Sequence, residues 1–177
     1  TVPCYNAEDY MERCIDSLLS GDESVEIIIV DDGSTDRTGE IADNYARNYP
    51  EIVRVIHQEN GGHGAGVNVG LANASGRYFK VVDSDDWLDE VELQKLLKRI
   101  KQWDKEDTRV DLIICNYIYD HLYEGKTKRM AYTNVFQAET ICGWNDIGKF
   151  RPSQYLVMHS LFYRTDILRK AGIKLPK

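Results

Sequence analysis

The chain has 177 residues, 42% hydrophobic and 10% aromatic, which is enough for one domain with a substantial core and excludes a disordered chain. A net charge of −7 and the lack of a basic face with interleaved aromatics argue against a nucleic-acid partner. No run reaches the roughly 18–20 apolar residues of a membrane span, and no signal peptide is visible; the expectation is a cytoplasmic chain, or one membrane-associated through a longer protein.

After Thr1–Asn6 (TVPCYN), Met11, Cys14, Ile15, Leu18 and Leu19 recur at helical spacing, with Asn6 placed to cap the start and Gly21 the end. Val25–Val30 (VEIIIV) is short, β-branched and continuously apolar, the pattern of a strand buried on both faces. The polar loop DDGSTD leads to a second helix carrying Ile41, Ala42, Tyr45 and Tyr49 on one side. Ile52–His57 (IVRVIH) predicts a strand, QENGGHG a loop, and AGVNVGLANA a short helix closing near Gly76. Arg77–Val82 (RYFKVV) predicts a strand and DSDD a loop. The helix LDEVELQKLLKRIKQW follows, with Leu93, Leu96, Leu97 and Ile100 facing in and Lys95–Lys101 forming its solvated side. Val110–Tyr119 predicts a further strand, and alternation around EGK an antiparallel hairpin. Gln154–Arg164 predicts another strand, and TDILRKAG a short capped helix ending at Gly172.

Strands alternating with helices imply an α/β fold with right-handed crossovers and a mixed, mostly parallel sheet flanked by helices. In such a sheet the loops leaving the strands' carboxyl ends gather on one edge. PCYN, DDGSTD, QENGGHG and DSDD should therefore converge on one crevice. The four cysteines, Cys4, Cys14, Cys115 and Cys142, lack metal-binding or C-x-x-C spacing; three sit inside apolar patterns, which points to buried thiols in a reducing cytoplasm. The chain opens without Met and stops just after a helix-like segment, as a fragment of a longer protein would.

Each loop carries chemistry, and each has a plainer reading. In extended backbone Asp83 and Asp85 point to one side, a seat for a hard divalent cation; equally, Asp85 or Asp86 could cap the next helix. Gly61, Gly62, Gly64 and Gly66 let backbone approach a diphosphate near a helix start, or form only a flexible turn. His63 could reach the same phosphates. The dinucleotide fingerprint fails, because the third glycine position counted from Gly62 is Val67. Asp32 is placed to accept from a base or ribose, whereas Ser34, Thr35 and Asp36 read as helix-start residues.

TVPCYNAEDYMERCIDSLL, IIIVDDGSTDRT, NGGHGAGVNVGL and GRYFKVVDSDDW, in that order and spacing, resemble the family-2 glycosyltransferases of the GT-A, Rossmann-like fold. The likeness covers roughly residues 1–90, and HSLFYRTDILRKAG is similar to the family's late strand and helix. The resemblance implies a transferase moving a sugar, with inversion, from a nucleotide sugar, usually a UDP-sugar, to an acceptor hydroxyl. A glycan or lipid-linked acceptor is implied but not identified, within polysaccharide biosynthesis. Residues 1–115 would form the nucleotide-sugar-binding part and 116–177 the start of the acceptor side of the same domain.

Residue by residue, the resemblance places Pro3, Tyr5, Asn6, Asp32, Gly62, His63, Asp83 and Ser84 around the donor. It assigns Asp85 to a Mn2+ or Mg2+ ion bridging the diphosphate. Where many members have A-R-N-x-G, this chain has Gly66, Val67, Asn68, Val69 and Gly70, so the arginine is missing. The family's general base follows a segment like LRKAGIKLP and is expected beyond Lys177; His159 and Asp166 read as structural. The rivals are a nucleotide-sugar-binding domain without catalysis and a haloacid-dehalogenase-type phosphatase with Asp83 as nucleophile. A sugar-nucleotide pyrophosphorylase would need a basic glycine-rich loop near the start, where this chain is acidic.

Overall fold

The computed structural model describes residues 1–121, 125–152 and 154–176. The described residues form two compact units, one from Thr1–Asp111 with the segment from Tyr163 onward, the other Leu112–Phe162.

The first unit is built on a parallel sheet in the order β1 (Val2–Cys4), β2 (Ile27–Asp31), β3 (Val53–His57). Cys4 lies opposite Asp31 and Asp31 opposite His57 in register. On the free side of β1, the amino group of Thr1 donates to the Lys80 carbonyl and Val82 N–H donates to the Thr1 carbonyl. All five residues of β2 are buried, as its unbroken apolar run requires. The helices α1 (Met11–Leu19) and α2 (Thr38–Asn48) cover one face. There Met11, Ile15, Ile41 and Ala42 join Val2, Ile27, Ile29 and Val53 in one core cluster. The helix α3 (His63–Asn73) covers the other face, with Gly66 over Pro3 and Val30. Strand β4 (Tyr78–Phe79) pairs antiparallel with Tyr163 and Arg164 of β8 (Leu161–Arg164), which feeds α5 (Thr165–Ala171).

Several boundaries differ from those the sequence predicts, each for a local reason. Asn6 does not cap α1. It adopts φ 49° and turns its carboxamide to the next loop, while Tyr10 stands at the helix start without a side-chain cap. The third helix begins at His63, two residues before the expected Ala65, because the Gly62 carbonyl accepts from Ala65 and Gly66. The expected strand Arg77–Val82 shrinks to β4, since Lys80 and Val82 direct their backbone bonds to Thr1. The helix α4 (Glu90–Lys105) is capped by Asp89, whose carboxylate accepts from Glu92 N–H at 3.0 Å. It buries Leu93 as expected and also Trp103.

The second unit is smaller and irregular. The expected strand Val110–Tyr119 is two, β5 (Leu112–Ile114) and β6 (Tyr117–His121). Between them Cys115 N–H donates to the Ser160 carbonyl and Asn116 Oδ1 accepts from Tyr132 N–H. The predicted hairpin is present, with β6 paired to β7 (Lys126–Met130) from Tyr117–Met130 to His121–Lys126; Glu124 of its EGK turn lies outside the described residues. Tyr132, buried in this unit with Ile113, Val135 and Leu161, donates to the Tyr155 carbonyl and packs against Tyr117 and Phe136. The expected strand Gln154–Arg164 forms only at β8, because Ser160 turns its N–H and hydroxyl back to the Val157 carbonyl.

All four cysteines are free, but only Cys4 and Cys14 are buried as expected. Cys115 is half-buried, and Cys142 is exposed where the loop around it leaves the core. Among the described residues no helix is long and apolar enough to cross a membrane.

One buried hydrogen bond locks the first loop to α2: Thr38, fully buried, accepts from Ala7 N–H at 2.7 Å. Replacing it by valine keeps the shape and leaves a buried N–H unpaired. Thr38→Val should cost about 1–3 kcal/mol in urea unfolding, with an unchanged slope; an unaltered midpoint would show that the bond carries no stability.

Candidate functional site

Adjacent residues of a strand point to opposite faces, and the end of β2 makes that alternation chemical. Asp31 turns toward α2 and Asp32 toward α3. Asp32 is 3% exposed, and its two oxygens take three donors from the loop after β3. Gly61 N–H and the Gln58 amide bond Oδ1 at 2.8 and 2.5 Å, and Gly62 N–H bonds Oδ2 at 2.8 Å. A buried carboxylate needs such partners, and here they fix the glycine loop. Gly62 holds φ 85°, a conformation that favours glycine, and swings the chain into α3. The amino-terminal turn of that helix contains no acidic side chain.

Asp31 is spent differently. Its Oδ1 accepts from Ser34 N–H at 3.1 Å, and its Oδ2 lies 2.9 Å from His57 Nδ1. The other ring nitrogen of His57 lies 3.1 Å from Asp43 of α2. Hydrogen bonds that its protonated ring donates to the Asp31 carboxylate first and to that of Asp43 second raise His57 above its ordinary value.

The four loops expected to converge are joined to one another. Asn6 N–H donates to Ser34 Oγ at 3.0 Å, and Asn6 Oδ1 accepts from Thr35 N–H at 2.9 Å, tying PCYN to DDGSTD. Asp32 ties DDGSTD to the glycine loop. His63 Nε2 lies 2.8 Å from Asp83 Oδ1, tying the start of α3 to DSDD. Cys14 Sγ also reaches the Asp83 carbonyl. Of the predicted site residues, Tyr5 is 52% exposed, while Pro3 is buried beneath Gly66. Ser84 is half-buried beside Cys4 and Tyr10.

The DSDD segment is not extended. Asp86 N–H donates to the Asp83 carbonyl at 2.9 Å, closing a turn. The expected common direction of Asp83 and Asp85 therefore does not follow from strand geometry. The turn leaves Asp85 and Asp86 exposed, while Asp83 is half-buried. Since Asp89 caps α4, neither Asp85 nor Asp86 is used for that purpose. Exposed carboxylates at a tight turn are hard oxygen donors and fit a divalent cation.

Two residues of this region were not visible as site residues in the sequence. His57 looks like the polar end of a strand, and only the register that sets it opposite Asp31 gives it a role. Tyr10 lies close enough to Asp85 for that charge, after partial burial, to raise its hydroxyl. Burial first, then Asp31, pushes the Cys4 thiol to about 12, and burial raises Cys14 still further. Both stay protonated, which removes them as nucleophiles.

The Glycosyl transferase family 2 profile matches residues 1–168. The chain is 40% identical over 132 residues to the uncharacterized glycosyltransferase EpsJ of Bacillus subtilis, covering 74% of this chain and 35% of that protein. It is 33% identical over 159 residues to glycosyltransferase GlyA of Streptococcus pneumoniae, covering 84% and 22%. Residues 1–349 of TarS from S. aureus superpose with a TM-score of 0.69 at 26% identity, over 99% of this chain and 49% of that one. TarS has also been crystallised with UDP and with UDP-GlcNAc, and those structures match at 25% identity with TM-scores of 0.68 and 0.66. The chain spans half or less of each of these proteins.

The bridge from Asp31 through His57 to Asp43 generates a pH dependence. A folded value raised above the unfolded one, about 6.5, means that protonation favours the fold. The stability of the protein over His57→Gln should be greatest below that value and should vanish as pH rises through the folded one. Urea midpoints of both proteins between pH 5.5 and 8.5 test this; a constant difference would refute it.

Proposed function

The chain belongs to glycosyl transferase family 2, and from that premise we propose that its first unit binds the nucleotide-sugar donor, a UDP-sugar, for inverting transfer to an acceptor hydroxyl. Its parallel sheet flanked by helices is the GT-A fold shared with TarS. The observation that carries the reading is the closure of four loops into one continuous rim by Asn6, Asp32 and His63, around the amino-terminal turn of α3. The first turn of α3 has no acidic residue of its own, and the N–H groups that Asp32 does not take, at the positive end of the helix dipole, suit a diphosphate.

In this reading Tyr5 and Asn6 border the base, and Pro3 supports that wall from beneath α3. Asp32 acts chiefly by holding Gly61 and Gly62 where the diphosphate approaches. His63 and Asp83 face the same phosphates as a hydrogen-bonded pair, with Ser84 beside them. Asp85 would hold Mn2+ or Mg2+. Such an ion, when bound, neutralises charge developing on the leaving nucleoside diphosphate.

Inversion requires a base for the acceptor proton. Asp166 does not meet that need: two hydrogen bonds from Arg164 at 3.0 Å lower its carboxyl and keep it a poor proton acceptor. The base is therefore proposed to follow Lys177 in the longer protein. Residues 1–115 would carry donor binding and 116–177 the beginning of the acceptor side, with a glycan or lipid-linked acceptor. The aspartyl-phosphate alternative gives no role to the loops bound by Asn6 and Asp32, and the family assignment displaces it.

Calorimetric titration of UDP separates the two carboxylates. Asp85→Asn should lower affinity about tenfold or more in manganese and leave binding in chelator unchanged. Asp32→Ala should weaken binding equally in both conditions, because it frees the glycine loop. Equal affinity of Asp85→Asn and the parent in manganese would remove Asp85 as the metal ligand.

A further inference from the structure

The chain from α5 onward runs back along α3, from that helix's carboxyl end to its amino end. Arg169 bonds the Leu71 and Ala74 carbonyls at 2.9 and 2.5 Å, placing a cation where the helix leaves carbonyls unpaired. Further along, Asn68 holds a single residue by both of its backbone groups. Its Nδ2 donates to the Leu175 carbonyl at 2.9 Å, and its Oδ1 accepts from Leu175 N–H at 3.0 Å. A carboxamide offers the same donor and acceptor as a peptide group, so this pair substitutes for one rung of a ladder. One turn before Asn68, on the same helix face, a Cβ on Gly64 would collide with the Pro176 carbonyl oxygen. The glycine thus admits the segment that the asparagine holds, immediately after His63 and the loop fixed by Asp32.

We propose that Asn68 is a positioning residue for the donor site: by clamping Leu175 it seats residues 175–176 as a side wall of the first turn of α3, and wall and donor stabilise one another. The proposal rests on the donor reading above. Because the segment lies along the side of the helix, it leaves the direction of the N–H groups unchanged while restricting the turn that presents them. Coupling of this kind is reciprocal: a nucleoside diphosphate that prefers the ordered turn should tighten the clamp, and loss of the clamp should weaken the nucleotide.

Amide hydrogen exchange at Leu175 and UDP titration test it, on the parent, Asn68→Ala and Gly64→Ala. Gly64→Ala raises helix propensity yet displaces Pro176, so it separates the wall from general stability if Asn68→Ala folds poorly. The parent should protect the Leu175 amide, and UDP should protect it further. Both variants should release it and bind UDP at least about fivefold more weakly. Protection of Leu175 retained in Asn68→Ala overturns the proposal, as does its release in both variants with unaltered UDP affinity. Failure of the parent to bind UDP would instead defeat the donor reading. The ligand-free exchange at Leu175 would then still decide whether the clamp exists.

Discussion

Everything at the candidate site depends on two adjacent carboxylates at the end of one buried strand. Two neighbouring charges of one sign in a low-dielectric interior are costly unless each finds its own partners. The pleat separates them: Asp31 goes to the face covered by α1 and α2, with His57, and Asp32 to the α3 face with the glycine loop. Each thereby organises a different half of the surroundings. Asp31 binds β2 to β3 and, through His57, to α2, while Asp32 decides where α3 begins. Exchanging the two residues' environments would require a one-residue slip of β2, which would also break its register with β1 and β3.

Much of this architecture was legible in the sequence, because burial imposes pattern. The run IIIV, the spacing of Met11, Cys14, Ile15 and Leu18, and the alternation after Asn116 identify a strand, a helix and a hairpin without reference to distant residues. Misread boundaries share a different origin. Asn6, Lys80 and Asn116 each follow a hydrogen bond to a distant residue that local propensity does not reveal, whereas Ser160 turns back locally on Val157. The partners of Asn6 and Asn116 are 29 and 16 positions away. A side chain able to cap a helix is equally able to bond a neighbouring loop, and only the fold chooses.

The site was legible as chemistry but less so as geometry. The four polar loops converge as parallel topology demands, and their residue types suit a phosphate-bearing ligand. What the sequence could not supply was the direction of each group. Asp32 reads as a ligand contact, yet its oxygens hold Gln58, Gly61 and Gly62. DSDD reads as extended and is a turn. His57 carries no motif, and Asn68 stands at the asparagine of the A-R-N-x-G pattern without that pattern telling what it holds. Their importance arises from strand register in one case and from a contact 107 positions away in the other.

That long separation has a consequence for biosynthesis. A ribosome adds about 5–20 residues per second, so the stretch between Asn68 and Leu175 takes on the order of five to twenty seconds to emerge. Throughout that interval the nascent chain can assemble β1 to β3 with α1 and α2, but α3 lacks residues 175–176 along its flank. The glycine turn is therefore among the last parts of this unit to be completed during translation.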